Sequence, residues 1–181
     1  MPSRAWTLAV AALLLALVLF LWTRTGTRPG RKARPLLVCD LDETLVHSTP
    51  LQSGDFLTEE RPGARAFLTR AARTFDLAIF TASTQPYADP IIDTLERGAG
   101  VRFARRLYRE SCTVKRDGTY VKDLSLAFPS RFAVLLDNTP TVFEPNPPER
   151  CVAIESWFGD PSDLELAPGG RVEEILKRRA P

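Results

Sequence analysis

Two aspartates, Asp40 and Asp42, follow directly on the apolar run Leu36–Cys39. An apolar run that stops at a carboxylate is typical of a buried parallel strand that ends in a reactive loop. Because the aspartates are two residues apart, an extended strand end directs both side chains roughly the same way. Carboxylates held this close repel each other unless a cation or a proton lies between them. The pair therefore predicts a nucleophile and a general acid/base, with a hard cation such as Mg²⁺ between them.

Two further polar residues follow strand-like runs. Thr81 comes after Asp76–Phe80, and Asp137 comes after Phe132–Leu136. In an open parallel sheet, ligands bind at the carboxyl ends of the strands. The sequence therefore predicts that Asp40, Thr81 and Asp137 line one crevice.

Alternating strand-like and helix-like segments predict the elements that position these residues. Strands are predicted at Leu36–Asp40, Asp76–Phe80, Phe132–Leu136 and Cys151–Ile154, and helices at Pro62–Arg73, Pro86–Arg97 and Gly170–Arg178. A small hairpin is predicted over Leu107–Val121, with its turn at Asp117-Gly118. The pattern predicts an α/β fold: a Rossmann-like, mostly parallel sheet with helices on both faces and a small β-hairpin insert.

Five segments together resemble one group of enzymes. They are DLDETLVHS from Asp40, FTAS from Phe80, YVKDL from Tyr120, LLDNTP from Leu135 and SWFGDPSD from Ser156. In this order they resemble the haloacid-dehalogenase (HAD) superfamily of phosphatases and, within it, the RNA polymerase II C-terminal-domain phosphatase family. The resemblance spans about Leu36 to Pro161 and implies a HAD-like phosphatase domain over residues 35–181.

The resemblance implies a role for each residue around the aspartate pair. Asp40 would be the nucleophile and form an aspartyl-phosphate, and Asp42 would protonate the departing Ser or Thr oxygen and then activate water. Mg²⁺ would be bound by the Asp40 carboxylate, the Asp42 main-chain carbonyl and the Asn138 side chain. Asp137 would orient a metal-bound water. From the residues alone, Asp137 and Asn138 before Thr-Pro also fit an ordinary turn.

Four further residues are implied to contact substrate. Thr81 would supply a hydroxyl and Lys122 a fixed positive charge to the transferring phosphoryl group, while Tyr87 and Arg109 would line the substrate groove. Taken alone, Thr81 also fits a helix cap and Lys122 a solvated hairpin lysine. Tyr87 and Arg109 fit packing or surface roles equally well. His47, the single histidine, is expected to make a structural hydrogen bond rather than transfer a proton.

Two segments depart from the family's pattern. Residues 48–61 are shorter than the family's insert, which forms a small sheet and helps to build an apolar pocket for a proline beside the phosphoserine. The sequence therefore predicts that this pocket, and with it a preference for Ser-Pro sites, is missing. The tail beyond Trp157 and Phe158 is also short, which predicts a less stable domain or one that needs a regulatory subunit. Both aromatic residues are expected to pack in the core.

Residues 5–23 carry no charge and are almost wholly apolar. At about 18 residues this stretch is long enough to span a bilayer as a helix. A cleaved signal peptide and a buried core helix are the alternatives, but the run ends without the small-residue cleavage site of a signal peptide. The sequence predicts a transmembrane anchor over 1–23 and a basic linker over 24–34. The positive-inside rule then places the domain on the cytosolic or nucleoplasmic side. The anchor and the DPSD segment resemble nuclear-envelope members of the family, which implies the endoplasmic reticulum or nuclear envelope, with the mitochondrial inner membrane as the alternative.

The charge distribution predicts no direct nucleic-acid partner. Six of the 24 Lys and Arg residues precede Pro35 and no acidic residue does, so the remainder carries 18 basic against 22 acidic side chains. A domain with this balance lacks the basic surface that nucleic-acid binding needs. Cys39, Cys112 and Cys151 have no metal-type spacing and fit a reducing compartment, and Cys39 and Cys151 are expected in the core.

The combined expectation is a membrane-anchored, Mg²⁺-dependent protein serine/threonine phosphatase that acts on a phosphoprotein substrate. One alternative is a non-catalytic membrane adaptor of the same fold, such as a mitochondrial import translocase subunit. A second alternative is a small-molecule phosphatase. The intact carboxylates, Lys122 and Asn138 favour an enzyme, because a binding module has no use for a charged, metal-requiring cluster.

Overall fold

The computed structural model describes residues 34–129 and 132–179. Its strands are β1 Leu36–Cys39, β2 Val46–Pro50, β3 Phe56–Glu60, β4 Asp76–Phe80, β5 Phe103–Leu107, β6 Thr113–Val114, β7 Tyr120–Val121, β8 Ala133–Asp137 and β9 Cys151–Ala153. Its α-helices are α1 Ala64–Ala71, α2 Gln85–Ala99, α3 Leu124–Ala127 and α4 Arg171–Arg179, and short 3-10 segments occupy Arg109–Ser111, Pro140–Phe143 and Pro148–Arg150.

Five strands form a parallel sheet in the order β5-β4-β1-β8-β9. The central strands β1 and β8 have the sequences LLVC and AVLLD, and every residue in both is buried. Near-continuous apolar runs of this kind are what a parallel sheet covered on both faces requires. The predicted α/β fold with a parallel sheet is confirmed.

The two faces of the sheet are covered unequally. One face carries Leu37 and Cys39 and packs against α1, α2 and α4, for example through Phe67, Ile92 and Leu176. The opposite face, which carries Leu36, Val38, Phe80 and Leu135, packs against the one-turn helix α3 and the segment Pro140–Phe143. Helices therefore lie on both faces, as predicted, but within the described residues the second layer is thin.

The hairpin insert forms, and it is shorter than predicted. It consists of β6 and β7, and Gly118 takes a positive φ of 86° in its turn. The predicted start at Leu107 is wrong, because Leu107 ends β5, the edge strand of the main sheet. Arg105 and Arg106 interrupt the apolar pattern of β5, and Arg106 forms ion pairs with acidic residues of α2.

Residues 46–60 form a second hairpin, which the sequence does not predict. Strands β2 and β3 pair antiparallel, with Ser48 opposite Thr58 and Pro50 opposite Phe56. The side chain of Phe56 packs edge-on against Tyr87, with the ring centroids 5.4 Å apart. Phe56 and Tyr87 thus place aromatic surface beside the site, and the expected loss of the proline pocket stays a prediction.

The predicted membrane anchor over 1–23 and most of the linker lie outside the described residues. Within the described ranges, no helix combines the length and apolar character needed to cross a bilayer. At the other end, α4 buries Val172 and Leu176 in the core. Cys39 is fully buried as expected, whereas Cys151 is only half-buried at the edge strand β9, so its predicted core position is wrong.

Candidate active site

Three strands of the parallel sheet bring polar side chains to one edge. Asp40 follows β1, Thr81 follows β4, and Asp137 is the last residue of β8. Their carboxyl ends are neighbours because β1 lies between β4 and β8. They open into a cleft of about 760 Å³, and all eight site residues expected from the sequence line it: Asp40, Asp42, Thr81, Tyr87, Arg109, Lys122, Asp137 and Asn138.

Lys122 lies between two buried carboxylates, and we call Lys122, Asp40 and Asp137 the lysine cluster. Lys122 Nζ donates to Asp40 Oδ1 at 2.5 Å and to Asp137 Oδ2 at 2.6 Å. The three residues are only 2%, 6% and 1% exposed, respectively. This burial excludes the alternative in which Lys122 is a solvated hairpin lysine.

The lysine cluster contains one more carboxylate than it has cations. Burial raises the pKa of Asp40 to about 7, and the charge of Asp137 adds to the rise while Lys122 opposes it. Burial by itself lowers the pKa of Lys122, but the two carboxylates outweigh burial and the pKa ends above its usual value. With both carboxylates ionised, the buried cluster carries a net negative charge that a further cation can neutralise.

The main chain fixes Lys122 on both sides. Its N–H donates to the Val142 carbonyl at 3.2 Å, and its own carbonyl accepts from Asn146 Nδ2 at 2.6 Å. The first bond joins the end of β7 to the 3-10 segment that follows β8. The hairpin insert therefore holds the lysine against the carboxyl end of the sheet.

Three hydroxyl groups hold the carboxylate of Asp42. Tyr87 Oη donates to Oδ1 at 2.6 Å, and Ser83 Oγ donates to Oδ2 at 2.7 Å. Thr81 Oγ1 makes a longer bond to Oδ2 at 3.4 Å and accepts the N–H of Ser83 at 3.0 Å. Burial and the bond to Asp42 raise the pKa of Tyr87, so this phenol remains a donor. The sequence does not single out Ser83, although it belongs to the FTAS segment.

The oxygen atoms around Asp40 fit a hard cation. Thr44 Oγ1 lies 3.1 Å from both Asp40 Oδ2 and Asn138 Oδ1, so a carboxylate oxygen and an amide oxygen converge on one hydroxyl. Among the described residues no group of three or more His, Cys, Asp or Glu side chains has metal-binding spacing. A cation here would therefore depend on amide and main-chain carbonyl oxygens and on water, which is the ligand set that Mg²⁺ accepts.

A second buried ion pair holds the loop after Asp42, and we call Arg61 and Asp163 the arginine pair. Arg61 is 1% exposed, and its Nε and Nη2 donate to the two oxygens of Asp163 at 2.8 and 2.6 Å. Its Nη1 donates to the Glu155 carbonyl at 2.8 Å and makes longer bonds to the Glu43 and Thr44 carbonyls. The pair ties the DLDETLVHS segment to the SWFGDPSD segment, and no pattern in the sequence predicts it.

His47 makes the structural hydrogen bond expected of it. Its Nδ1 lies 3.0 Å from Glu43 Oε1. Glu43 has a φ of 54°, a value that residues other than glycine rarely adopt. The rings of Trp157 and Phe158 approach the His47 ring edge-on at 6.4 and 5.5 Å. Trp157 is buried as predicted, but Phe158 is 69% exposed, so its predicted core position is wrong.

Aromatic residues form the walls of the cleft. Tyr87 and Phe56 stand on one side, and Tyr120 of the hairpin insert lines the cleft as well. Arg109 lies with its guanidinium 5.7 Å from the Tyr120 ring and donates through Nε to the Ala82 carbonyl at 2.6 Å. The cleft thus combines a charged floor with aromatic sides.

Comparisons with known proteins place most of the chain in one family. Residues 35–179 match the family described as NLI interacting factor-like phosphatase. The mouse carboxy-terminal domain RNA polymerase II polypeptide A small phosphatase 2 is 42% identical over 151 residues, which cover 75% of this chain and 54% of that protein. Nuclear envelope morphology protein 1 of Schizosaccharomyces pombe is 40% identical over 152 residues, 74% of this chain and 31% of that protein.

Among solved structures, the fission yeast RNA polymerase II CTD phosphatase Fcp1 bound to beryllium fluoride has the same fold. The TM-score is 0.55 at 20% sequence identity, over 81% of this chain and 50% of that chain. The matched region spans about half, or less, of the length of these relatives. The family match covers most of the chain, and the chain belongs to the NLI interacting factor-like phosphatase family.

Proposed function

We propose that this chain is a Mg²⁺-dependent protein serine/threonine phosphatase that works through an aspartyl-phosphate on Asp40. The lysine cluster carries this proposal, because it buries Asp40 and Asp137 around a single cation, which leaves an excess negative charge whenever both carboxylates are ionised. A purely structural cluster would gain nothing from that excess charge. In a phosphatase, the cation that accompanies the phosphoryl group would neutralise the excess charge, and the ionised Asp40 could attack phosphorus.

Each residue of the cleft has a task in this reaction. The Asp40 carboxylate attacks phosphorus, and the bond from phosphorus to the serine or threonine oxygen breaks. Asp42 gives a proton to that leaving oxygen and afterwards takes one from the water that hydrolyses the aspartyl-phosphate. Lys122 holds Asp40 in place and offers positive charge to the transferring group, and Thr81 offers a hydroxyl.

A magnesium ion would be held by the Asp40 carboxylate, the Asp42 main-chain carbonyl and Asn138 Oδ1, with Asp137 beside it. When bound, it supplies positive charge to the phosphoryl oxygens. The oxygen-only ligand set and the two carboxylates that share one lysine support this assignment.

The substrate we propose is a phosphoserine or phosphothreonine in an exposed protein segment. The cleft is open and wide, and Tyr87, Arg109 and Tyr120 offer aromatic and cationic contacts along its sides. The name of the related small phosphatase 2 refers to the carboxy-terminal domain of RNA polymerase II polypeptide A, which is a protein segment. A small-molecule phosphatase would need a more closed site.

The chain as a whole is proposed to be anchored in a membrane by residues 1–23, followed by the linker 24–34 and the phosphatase domain 35–181. The anchor would place the domain in the cytosol or nucleoplasm at the endoplasmic reticulum or nuclear envelope. The apolar stretch 5–23 and the likeness to a nuclear envelope morphology protein support this location. A regulatory subunit is part of the proposal for the C-terminal side.

The test is hydrolysis of p-nitrophenyl phosphate and of a phosphoserine peptide by the full chain in mild detergent. We expect turnover with Mg²⁺, none with chelator, and none for Asp40→Asn. Asp117→Asn is the matched control, because it makes the same change in the exposed turn of the hairpin insert. A folded wild-type protein that hydrolyses neither substrate with Mg²⁺ would overturn the proposal and favour the adaptor.

A further inference from the structure

Asp42 is connected to the β2–β3 hairpin by a chain of hydroxyl groups. Tyr87 Oη lies 2.6 Å from Asp42 Oδ1 and 2.7 Å from Ser48 Oγ. Ser48 Oγ in turn lies 2.8 Å from Thr58 Oγ1. Ser48 and Thr58 are direct partners in the antiparallel pairing of β2 and β3, so the strand register fixes the distance between them.

The number of hydrogen atoms sets the direction of this chain. A phenol or alcohol carries one hydrogen, and Asp42 Oδ1 can accept the hydrogen of Tyr87 both when the carboxyl is ionised and when its other oxygen carries the acid proton. If Tyr87 donates its hydrogen to Asp42, its oxygen can only accept from Ser48, and Ser48 then accepts from Thr58. Every hydroxyl therefore donates toward the carboxylate, an arrangement in which each bond strengthens the next.

The same face of the hairpin also fixes the Tyr87 ring. Phe56, two residues before Thr58 on β3, packs edge-on against it with the ring planes at 77°. Tyr87 itself lies in the first turn of α2. The Asp42 carboxylate is thus held between a helix and a hairpin that belongs to neither the main sheet nor its covering helices.

We propose that Ser48 and Thr58 are positioning residues, which act through Tyr87 to hold the Asp42 carboxylate in line with the leaving oxygen of the substrate. This inference rests on the proposed phosphatase function. It assigns to the hairpin a part in the proton-transfer step, in addition to any contact of Phe56 with the substrate. Neither Ser48 nor Thr58 needs to touch the substrate for this role.

The leaving group separates this role from a merely structural one. A serine oxygen leaves poorly unless it is protonated, whereas p-nitrophenolate leaves as an anion and needs no general acid. If the Asp42 carboxylate moves out of line, release of the dephosphorylated peptide from a phosphoserine substrate should therefore slow much more than release of p-nitrophenolate from p-nitrophenyl phosphate.

The experiment measures single-turnover release from both substrates by the full chain with Mg²⁺, for Ser48→Ala and Thr58→Val. We expect release of the dephosphorylated peptide to slow by about 10-fold, which is a fraction of the full effect of a general acid. Release of p-nitrophenolate should change by less than about 2-fold. The KM for the peptide, taken from steady-state kinetics, should stay within about 2-fold, because the role proposed for both hydroxyls is not a substrate contact. Thr58→Ser, which keeps the hydroxyl, should restore the wild-type rate.

Thr49→Val is the matched control, because Thr49 is exposed on the opposite face of the same strand and lies outside the hydroxyl chain. Equal slowing on both substrates, a raised KM with unchanged peptide release, or unchanged rates throughout would each overturn the inference. Wild-type turnover that disappears in Asp40→Asn establishes the phosphatase independently. Absence of wild-type turnover overturns the proposed function instead, and the inference with it.

Discussion

The lysine cluster and the arginine pair are both buried and charged, yet they are built on opposite principles. In the arginine pair one cation meets one carboxylate through two parallel hydrogen bonds, and a further guanidinium nitrogen donates to main-chain carbonyls. In the lysine cluster one cation is shared by two carboxylates. Only the second arrangement leaves charge unbalanced.

The difference separates a structural ion pair from a reactive one. A planar guanidinium with matched acceptors has no capacity left for a ligand. The ammonium of Lys122 is a compact charge between two carboxylates, and the pKa of Asp40 is raised to about 7 because burial and Asp137 disfavour its ionised form. The arginine pair should therefore matter for stability, and the lysine cluster for catalysis at a cost in stability.

The largest effect is expected from Lys122→Met. Removing the fixed charge beside the transferring phosphoryl group should lower kcat/KM for a phosphoserine peptide by at least about 10²–10³-fold, the usual cost of losing one such contact. Steady-state kinetics with saturating Mg²⁺ measure this.

Lys115→Met is the control for Lys122→Met. Lys115 lies in the turn of the same hairpin insert, and its ammonium pairs with Glu144 on the surface. A Lys122→Met enzyme with near wild-type kcat/KM would remove the lysine cluster from the catalytic account.

The next effect is on stability, from Arg61→Met. Leaving Asp163 without its partner should lower the free energy of unfolding by about 3–5 kcal/mol, as is usual when one half of a buried ion pair is removed. Urea denaturation followed by tryptophan fluorescence measures the change.

Arg61→Lys sharpens the same prediction. A lysine keeps the charge but cannot reach both oxygens of Asp163 and the Glu155 carbonyl together, so most of the loss should remain. If Arg61→Lys unfolds at the same urea concentration as the wild type, the bidentate geometry is not what stabilises this loop.

A smaller change of opposite sign is expected from Asp40→Asn in the presence of chelator. Since the pKa of Asp40 is higher in the folded chain (about 7) than its ordinary 3.8, the folded state retains a proton that the unfolded state loses. Stability from this group is fully present below about pH 4 and is lost as the pH rises through 7. An asparagine at position 40 does not ionise, so the variant keeps the free energy of unfolding that the wild type loses at high pH. Its melting temperature at pH 8 should therefore lie a few degrees above that of the wild type, since about 1 kcal/mol corresponds to about 2–4 °C.

The advantage of Asp40→Asn should shrink toward pH 5, and thermal melts across this range measure it. Adding Mg²⁺ should raise the melting temperature of the wild type more than that of Asp40→Asn, because ligand binding stabilises the folded state. An Asp40→Asn variant that melts below the wild type at pH 8 without metal would contradict the unbalanced-charge account.

The smallest effect is expected from the exposed ion pair of Lys115 and Glu144. Exposed pairs lose about as much side-chain entropy and hydration as they gain in attraction. Glu144→Gln should leave both the melting temperature and kcat/KM unchanged. A measurable loss of either would contradict the claim that buried charged groups matter for stability and catalysis whereas exposed pairs do not.

Sequence patterns predict the lysine cluster better than the arginine pair. Asp40 and Asp137 follow apolar runs, and parallel strands bring such ends together, so their meeting follows from periodicity. Lys122 is predicted only because the segment YVKDL around it resembles a segment of the family. Arg61 and Asp163 are 102 residues apart, with no periodic signal in either neighbourhood, and only the folded chain reveals them as partners.

The elements that the sequence does not predict share a physical cause. β5 contains Arg105 and Arg106, whose charges hide its alternation, and the acidic partners of Arg106 come from α2. The β2–β3 hairpin has Thr and Glu residues where a buried strand would be apolar. Phe158 looks like a core residue by type, but its ring lies on the surface against His47.

The central claim is that the lysine cluster contains the nucleophile. The most direct measurement incubates Asp42→Asn with p-nitrophenyl phosphate and Mg²⁺, quenches with acid and locates any added phosphoryl group by peptide mass spectrometry. This variant can still be phosphorylated by a substrate that needs no general acid, but it lacks the base that activates water. We predict one phosphoryl group on Asp40, which hydroxylamine removes and which is absent from the variant that also carries Asp40→Asn. Turnover by the wild type with no adduct in Asp42→Asn, or with an adduct at another residue, would contradict the account.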